Sequence, residues 1–254
     1  MRPSLLCSWQ WATPDFVPAL NWLLKHPKKI RKGEYLGGTL GKEIWRFSLP
    51  VDQQGGSVIY KSYAFENMPL LSRLGFTSAL QEALNFAGLR EIGVPVPDLL
   101  ACGETRRMGL LTSAFIITRN VPGSQDGSVL GPTGNLREHE KLRTDFCRRC
   151  MELLALAHQS GFLYRKLSAQ KILFVQENAE DVPELTWTDV ASCVYRPRVN
   201  FHQAIPRDLV NIFVDLRLSA SEIQQHLAHY LECHPGCGYT PETLWDALTR
   251  LKRV

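Results

Sequence analysis

Apolar and polar residues alternate along this chain with two different periods, and the change of period separates the predicted helices from the predicted strands. The first helical period covers residues 14–25, with Pro14 near its start. Its apolar positions are Phe16, Val17, Leu20, Leu23 and Leu24. A basic segment, residues 25–32, follows this helix; we interpret it as a solvated connector, with contact to anionic lipid or nucleotide as the alternative.

Strand-like patterns dominate the next part of the chain. Residues 35–47 place glycines between two strand-like ends, and such a glycine hairpin lets backbone N–H groups approach a phosphate. Residues 57–63 alternate apolar and polar side chains around Lys61, as in a half-buried strand. A helix is predicted at 77–90, with Glu82 at its middle. Its apolar side is predicted to contain Leu80, Ala83, Leu84, Ala87 and Leu89.

The second half of the chain is mainly helical. An apolar strand at 114–118 leads to a turn-rich break at 122–127, which is the predicted boundary between two lobes. A long helix is predicted at 137–160, and its buried set contains Leu142, Phe146, Met151, Leu154 and Leu156. Three more helices are predicted after it, at 208–217, 221–232 and 241–253.

The most informative stretch is HQSGFLYRKLSAQKILF, residues 158–174. It predicts a helix end, a tight loop and a short strand. An acidic, turn-rich spacer at 177–184 and a second strand ending in Thr-Trp-Thr-Asp, residues 186–189, come next. This order resembles the catalytic loop and the metal loop of the protein-kinase-like fold.

Composition limits the class of protein. A chain of 254 residues with 44% apolar residues can bury a substantial core, and its net charge of +4 is too small for a nucleic-acid-binding signature. No apolar run is long enough for a secretion signal or a transmembrane helix. Seven scattered cysteines suit a reducing compartment. We therefore expect a cytoplasmic protein.

Three segments together resemble the bacterial lipopolysaccharide kinase family, the small kinase-fold enzymes that phosphorylate Kdo or core heptose. They are ALQEALNFAGLREIGVPVPDLLACGE at 79–104, LLALAHQSGFLYRKLSAQKILF at 153–174, and PRDL at 206–209. The resemblance implies an α+β, two-lobed, protein-kinase-like fold with a five-stranded antiparallel N-lobe sheet and a shortened helical C-lobe. We expect an N-terminal helical extension at 1–30, the N-lobe at 31–121 and the C-lobe at 122–254.

The same resemblance implies roles for individual residues. Lys61 matches the strand lysine that neutralises the α- and β-phosphates of ATP, and Glu82 matches the carboxylate that orients it. Asp189 matches the aspartate that holds Mg²⁺. The inter-lobe hinge, where backbone groups would hold adenine, corresponds to Thr118, Asn120 and Val121. Asp208, at a helix start, is expected to brace the catalytic loop as a structural residue.

Two departures from the family pattern change the expected chemistry. Lys166 stands where the family has the aspartate that accepts the substrate proton, and a positioned base contributes roughly 10²–10⁴-fold to such a reaction. Lys171 stands where the family has an asparagine metal ligand, and a charged lysine has no lone pair for a metal. The two lysines either replace the charge of Mg²⁺ at a bound nucleotide or pair with Asp189 and close the metal site.

These departures favour a pseudokinase that acts as a nucleotide-binding or regulatory module in cell-envelope saccharide assembly. One alternative is an active ATP-dependent kinase for a lipopolysaccharide core sugar, and another is a structural partner protein with an empty cleft. The expected partners are a nucleotide and an envelope-biosynthesis protein. Contact with the inner face of the inner membrane is a further alternative, suggested by Trp9, Trp11 and Trp22 near the basic connector.

Two other groups of residues invite functional interpretations that we consider weaker. Cys147 and Cys150, with Cys233 and Cys237, could be imagined as a zinc site, but buried free cysteines are commoner and the spacing matches no standard finger. His158 could be imagined as a substitute base, although a structural role fits its position better.

Overall fold

We describe the protein from a computed structural model that covers residues 6–39, 41–50, 56–66, 68–75, 77–165, 167–178, 181–196 and 204–251. Seven helices lie in these ranges: α1 (Val17–Lys25), α2 (Pro27–Ile30), α3 (Ser78–Glu91), α4 (Glu140–Gln159), α5 (Ile205–Leu216), α6 (Ala220–Cys233) and α7 (Pro241–Thr249). No helix in the described parts of the chain is both long and apolar enough to cross a membrane.

Eleven strands lie in the same ranges: β1 (Leu6–Ala12), β2 (Glu34–Thr39), β3 (Lys42–Ser48), β4 (Ser57–Ala64), β5 (Leu99–Arg107), β6 (Leu110–Arg119), β7 (Gln125–Asp126), β8 (Phe162–Leu163), β9 (Ile172–Val175), β10 (Glu184–Trp187) and β11 (Val194–Tyr195). They form an antiparallel six-stranded sheet in the order β1-β5-β6-β4-β3-β2, a three-stranded sheet β10-β9-β7 and a two-stranded sheet β11-β8.

The chain divides into two compact units. The first contains Met1–Phe86 and Pro97–Pro122, and the second contains Ala87–Val96 and Gly123–Val254. The six-stranded sheet belongs to the first unit, whereas α4 to α7 and the two small sheets belong to the second. The division of the chain at residues 30 and 121 stays a prediction.

The expected five-stranded sheet has six strands, and β1 is the additional one. Its backbone pairs with β5 from Leu6 opposite Arg107 to Ala12 opposite Ala101. The sequence of this segment alternates polar and aromatic residues, Ser8-Trp9-Gln10-Trp11, which is a strand pattern that the prediction of a helical extension overlooked. A helix follows at α1, as predicted, and it tolerates Pro18 because proline is compatible with a first helical turn.

Helix α1 covers one face of the six-stranded sheet. Its Leu20 and Leu23, with Phe16 of the preceding 3-10 turn, belong to a core that also contains Val58 of β4 and Ile117 of β6. Side chains alternate between the two faces of a strand. The face that α1 covers is therefore opposite to the face on which the odd-numbered residues of β4 lie, including Lys61.

Helix α3 begins at a buried cap. The backbone N–H of Leu80 donates to Thr77 Oγ1 at 3.0 Å, so the Thr77 hydroxyl satisfies one of the unpaired amides of the first turn. The buried positions of this helix include Ala79, Ala83, Phe86 and Leu89. Leu84 and Ala87, predicted on the apolar side, are exposed instead.

Candidate functional site

The first group of predicted residues lies on β4 and α3, within the first unit. Lys61 is in the interior of the sheet, opposite Ile44 of β3 and Ile116 of β6. Its Nζ lies 2.6 Å from Glu82 Oε1, and the two side chains are 11% and 0% exposed. The structure therefore joins Lys61 and Glu82 in a buried ion pair.

Glu82 is buried because of its place in the helix. It lies three residues after Ala79 and one before Ala83, on the side of α3 that faces the sheet. Tyr63 completes its environment: the phenol donates to Glu82 Oε2 at 3.2 Å, so each carboxylate oxygen has a partner. Tyr63 was not predicted as a site residue. Its spacing of two from Lys61 puts both side chains on one face of β4, and this signal was present in the sequence.

The predicted hinge residues follow β6 to its end. Thr118 is buried between Ile59 of β4 and Leu99 of β5. The Asn120 N–H donates to the Ser57 carbonyl oxygen at 3.0 Å. This amide is therefore already engaged inside the unit, and the use of Thr118, Asn120 and Val121 for adenine stays a prediction.

The second group of predicted residues surrounds the loop between β8 and β9, within the second unit. The buried carboxylate of Asp208, in the first turn of α5, accepts hydrogen bonds from the backbone N–H groups of Tyr164 at 2.7 Å and Arg165 at 2.6 Å. Arg165 has a φ of 67°, in the left-handed region that non-glycine residues rarely adopt. Asp208 thus fixes this strained part of the loop, which is the structural role we expected.

His158 has a structural environment as well. Its side chain is fully buried, with Nδ1 2.8 Å from the Tyr230 hydroxyl and Nε2 3.3 Å from Asp208 Oδ2. Both ring nitrogens are occupied by buried partners. His158 therefore links Asp208 to Tyr230 of α6. Because it is buried and both nitrogens have partners, this geometry does not suit a substitute base.

The downstream end of the same loop joins Lys171 and Asp189. Lys171 Nζ lies 3.6 Å from Asp189 Oδ2, with side chains 23% and 34% exposed. Thr188 holds the two segments together, because its N–H and its hydroxyl both bond to the Lys171 carbonyl oxygen, at 2.8 and 3.0 Å. Asp189 itself has a φ of 53°, a left-handed conformation that aspartate tolerates better than most residues.

Tyr164 adds a third contact at this position. The Lys171 ammonium lies 5.6 Å from the centre of the Tyr164 ring, and the Tyr164 hydroxyl donates to the Thr188 carbonyl oxygen. The ring thus supports a cation beside Asp189. Tyr164 was not predicted as a site residue.

Asp215 is another residue that sequence reasoning missed. Its Oδ2 accepts the backbone N–H of Ala169 at 2.8 Å, just before Lys171. Asp215 comes seven residues after Asp208, so the two carboxylates lie two turns apart on one side of α5 and bind the same loop at two points. Lys166, the other predicted site lysine, lies outside the described residues.

The donor set around Asp189 does not suit Mg²⁺. Magnesium prefers several oxygen ligands, whereas Asp189 has an ammonium beside it. No group of three or more histidine, cysteine or acidic side chains that could hold a metal is found in the described ranges. This also disfavours the zinc interpretation: Cys147 and Cys150 are buried in α4, and burial raises the pKa of Cys147 to about 12.

The comparison with known families decides the classification. The sequence model of the lipopolysaccharide kinase (Kdo/WaaP) family matches residues 60–230, which include both groups of site residues. The chain belongs to this family. Among solved structures, it is similar to "WaaP in complex with acyl carrier protein", with a TM-score of 0.66 and 18% identity over 96% of this chain and 97% of that one. A comparison with curated proteins found no match.

The family assignment confirms the predicted resemblance, and the structural similarity confirms the α+β kinase-like fold. At 18% identity, the solved WaaP structure supports the fold and assigns no role to individual residues here.

Proposed function

We propose that this chain is a pseudokinase of the lipopolysaccharide kinase family: it binds a nucleotide without efficient phosphotransfer and regulates the assembly of cell-envelope saccharides. The observation that carries this proposal is the 3.6 Å contact between Lys171 Nζ and Asp189 Oδ2. It supports the hypothesis that an ammonium takes the place of a metal ion at Asp189, which matches the metal-binding aspartate of the family.

The nucleotide part of the proposal rests on Lys61 and Glu82. Buried ion pairs are poor sources of stability, because desolvation offsets most of their attraction. A buried lysine that is held by a carboxylate and supported by Tyr63 is therefore better explained by a need for positive charge at that place. In this proposal Lys61 binds the α- and β-phosphates of ATP and Glu82 fixes its ammonium group.

The impaired chemistry follows from the loop after β8. Lys166 cannot accept a proton from a substrate hydroxyl while it is charged. Besides Asp189, the carboxylates of Asp208 and Asp215 reach the described part of this loop, where they accept hydrogen bonds from the backbone N–H groups of Tyr164, Arg165 and Ala169. These hydrogen bonds favour a structural role for Asp208 and Asp215 over the role of a replacement base.

Nucleotide titration distinguishes the two roles open to the lysines. We expect ATP to raise the melting temperature equally with Mg²⁺ and with EDTA. Lys61→Ala should weaken the affinity for ATP about tenfold or more, which reduces this increase. Lys141→Ala on the exposed start of α4 is the matched control, with no expected change. If Lys171→Ala also weakens ATP binding in EDTA, Lys171 contributes positive charge at the phosphates. If ATP binding is unchanged, Lys171 only occupies the metal position beside Asp189.

An active kinase is the second candidate, because Lys61, Glu82 and Asp189 are all retained. It predicts transfer of the γ-phosphate of ATP to a Kdo- or heptose-containing acceptor, and loss of that transfer in Asp189→Asn. Turnover that disappears in this variant would overturn the pseudokinase proposal. A structural partner would bind no nucleotide. The acyl carrier protein in the solved WaaP complex supports searching for a protein partner in that case.

A further inference from the structure

The first unit carries an exposed group of large apolar side chains that neither its core nor the proposed nucleotide site uses. Four belong to the segment between β4 and α3, and one belongs to the tip of the β5–β6 hairpin. They are Met68, Leu70, Leu71, Leu74 and Met108, with exposures between 40% and 83%. We call this group the apolar tip.

The apolar tip is built as one structural element, because two arginines tie its parts together. Arg73, in the 3-10 turn Leu70–Arg73, donates from Nε to the Leu111 carbonyl oxygen at 2.9 Å. Arg106 donates to the Gly75 carbonyl oxygen at 3.1 Å and to the Gly109 carbonyl oxygen at 3.2 Å. The turn and the hairpin tip are therefore held next to each other, and both carry exposed apolar side chains.

A soluble protein rarely leaves a large apolar surface uncovered. Leu71 is the most exposed of the group at 83%, so its side chain projects away from the protein. The element is a single turn beside a hairpin tip, whereas protein interfaces usually have broad surfaces with Tyr and Trp at their centre. The apolar tip instead consists of leucine and methionine, and Arg73, Arg106 and Arg107 lie in the same two segments.

Charge complements the apolar group. Arg107 is exposed next to Met108, and Arg73 and Arg106 border the turn. The acidic residues of the same region are Glu66 and Glu104, and Arg106 already binds the Glu104 carboxylate at 2.7 Å. Arginine side chains can keep their charge at lipid phosphates while apolar neighbours enter the acyl region.

We propose that the apolar tip docks this protein on an anionic phospholipid surface, with Leu70, Leu71 and Leu74 inserted at the boundary of the headgroups. This surface differs from the one suggested by the N-terminal tryptophans. Trp22 packs against the core of the six-stranded sheet, which removes it from that alternative. The docking does not depend on nucleotide binding, so the two proposals can fail separately.

Vesicle flotation of the full chain tests this proposal. The wild-type protein should float with phosphatidylcholine vesicles that contain phosphatidylglycerol, and less with pure phosphatidylcholine. Because each inserted leucine contributes roughly tenfold to partitioning, the triple variant L70S/L71S/L74S should bind about 1,000-fold more weakly than the wild type. The single variant Leu71→Ser, at the most exposed position, should lose about tenfold and guards against misfolding of the triple variant.

Three variants complete the design. Arg107→Gln should weaken binding roughly fivefold, and only when phosphatidylglycerol is present. Val182→Ser, at a side chain that is 61% exposed in the second unit, is the control and should bind as the wild type does. The variant K28Q/K29Q/K32Q tests the basic connector. The proposal is overturned if the wild type stays unbound, if Leu71→Ser binds normally, or if only the connector variant loses binding.

Discussion

Replacing Lys171 by asparagine should strengthen the binding of Mg²⁺ at Asp189. Asparagine is the residue that the family pattern has at this position, and its side-chain oxygen can ligate a metal, whereas an ammonium group cannot. The substitution also removes a positive charge 3.6 Å from Asp189 Oδ2. The affinity for Mg²⁺ should rise for both reasons.

The magnitude follows from the charges. Two unit charges about 4 Å apart interact by about 1 kcal/mol in water and by about 4 kcal/mol at an effective dielectric constant of 20. A divalent ion doubles these values to about 2–8 kcal/mol. Lys171 and Asp189 are 23% and 34% exposed, so solvent screening favours the lower end. About 2 kcal/mol corresponds to roughly a 30-fold tighter Kd for Mg²⁺.

The assay is calorimetric titration of Mg²⁺ into the protein saturated with a non-hydrolysable ATP analogue. The wild type should give no binding heat beyond that of the free nucleotide, and Lys171→Asn should give a saturable isotherm. Lys141→Gln removes the same charge from the exposed start of α4 and should behave as the wild type does. Our reasoning is refuted if the wild type already binds Mg²⁺ in this complex, or if Lys171→Asn does not.

Three further predictions concern stability and reactivity. Asp208→Ala leaves two loop amides and His158 without their buried acceptor, so it should lower the free energy of unfolding, measured by urea titration, by about 3–5 kcal/mol. The control Asp145→Ala removes the ion pair with Lys141 on α4 and should lower the free energy of unfolding by less than about 1 kcal/mol. Since burial raises the pKa of Cys147 to about 12, this thiol should resist a thiol reagent at pH 8 until urea is added, and equally rapid labelling of native protein would contradict the assignment. Burial lowers the pKa of His226 below its usual 6.5, so this side chain binds a proton more tightly in the unfolded chain than in the folded one. The melting temperature should therefore fall as the pH drops below 6.5. His226→Gln should reduce this dependence of the melting temperature on pH.

The sequence was sufficient to predict the strand of Lys61, the helix of Glu82 and the loop before Lys171. Each combines a clear hydrophobic period with a local signal, such as the Gly-x-Pro-x-Pro turn after α3 or Gly161 after α4. The Lys61–Glu82 pair depended on the resemblance, because nothing local in the sequence states that residues 21 apart will meet.

Contacts that depend on three-dimensional packing were harder to predict. Strand β1 was missed because a short polar and aromatic alternation is a weak signal without a partner strand. The contact between the Lys171 ammonium and the Tyr164 ring requires that the end of β8 lies close to the start of β9. The number of residues between them does not determine this. Leu84 was assigned to the apolar side of α3 by its residue type, although the buried side of that helix includes the charged Glu82.

The position of α1 has a practical consequence for anyone who trims this protein to its recognisable kinase portion. A fragment cut to residues 60–230 would lack α1 together with β1, β2 and β3, and half of the six-stranded sheet would be gone. Burial of the Phe16, Leu20 and Leu23 side chains contributes roughly 5–9 kcal/mol to the free energy of folding, which is as large as the net stability of many domains. A fragment expected to fold therefore has to include β1 from Leu6 onward, far outside the segment by which the family is recognised.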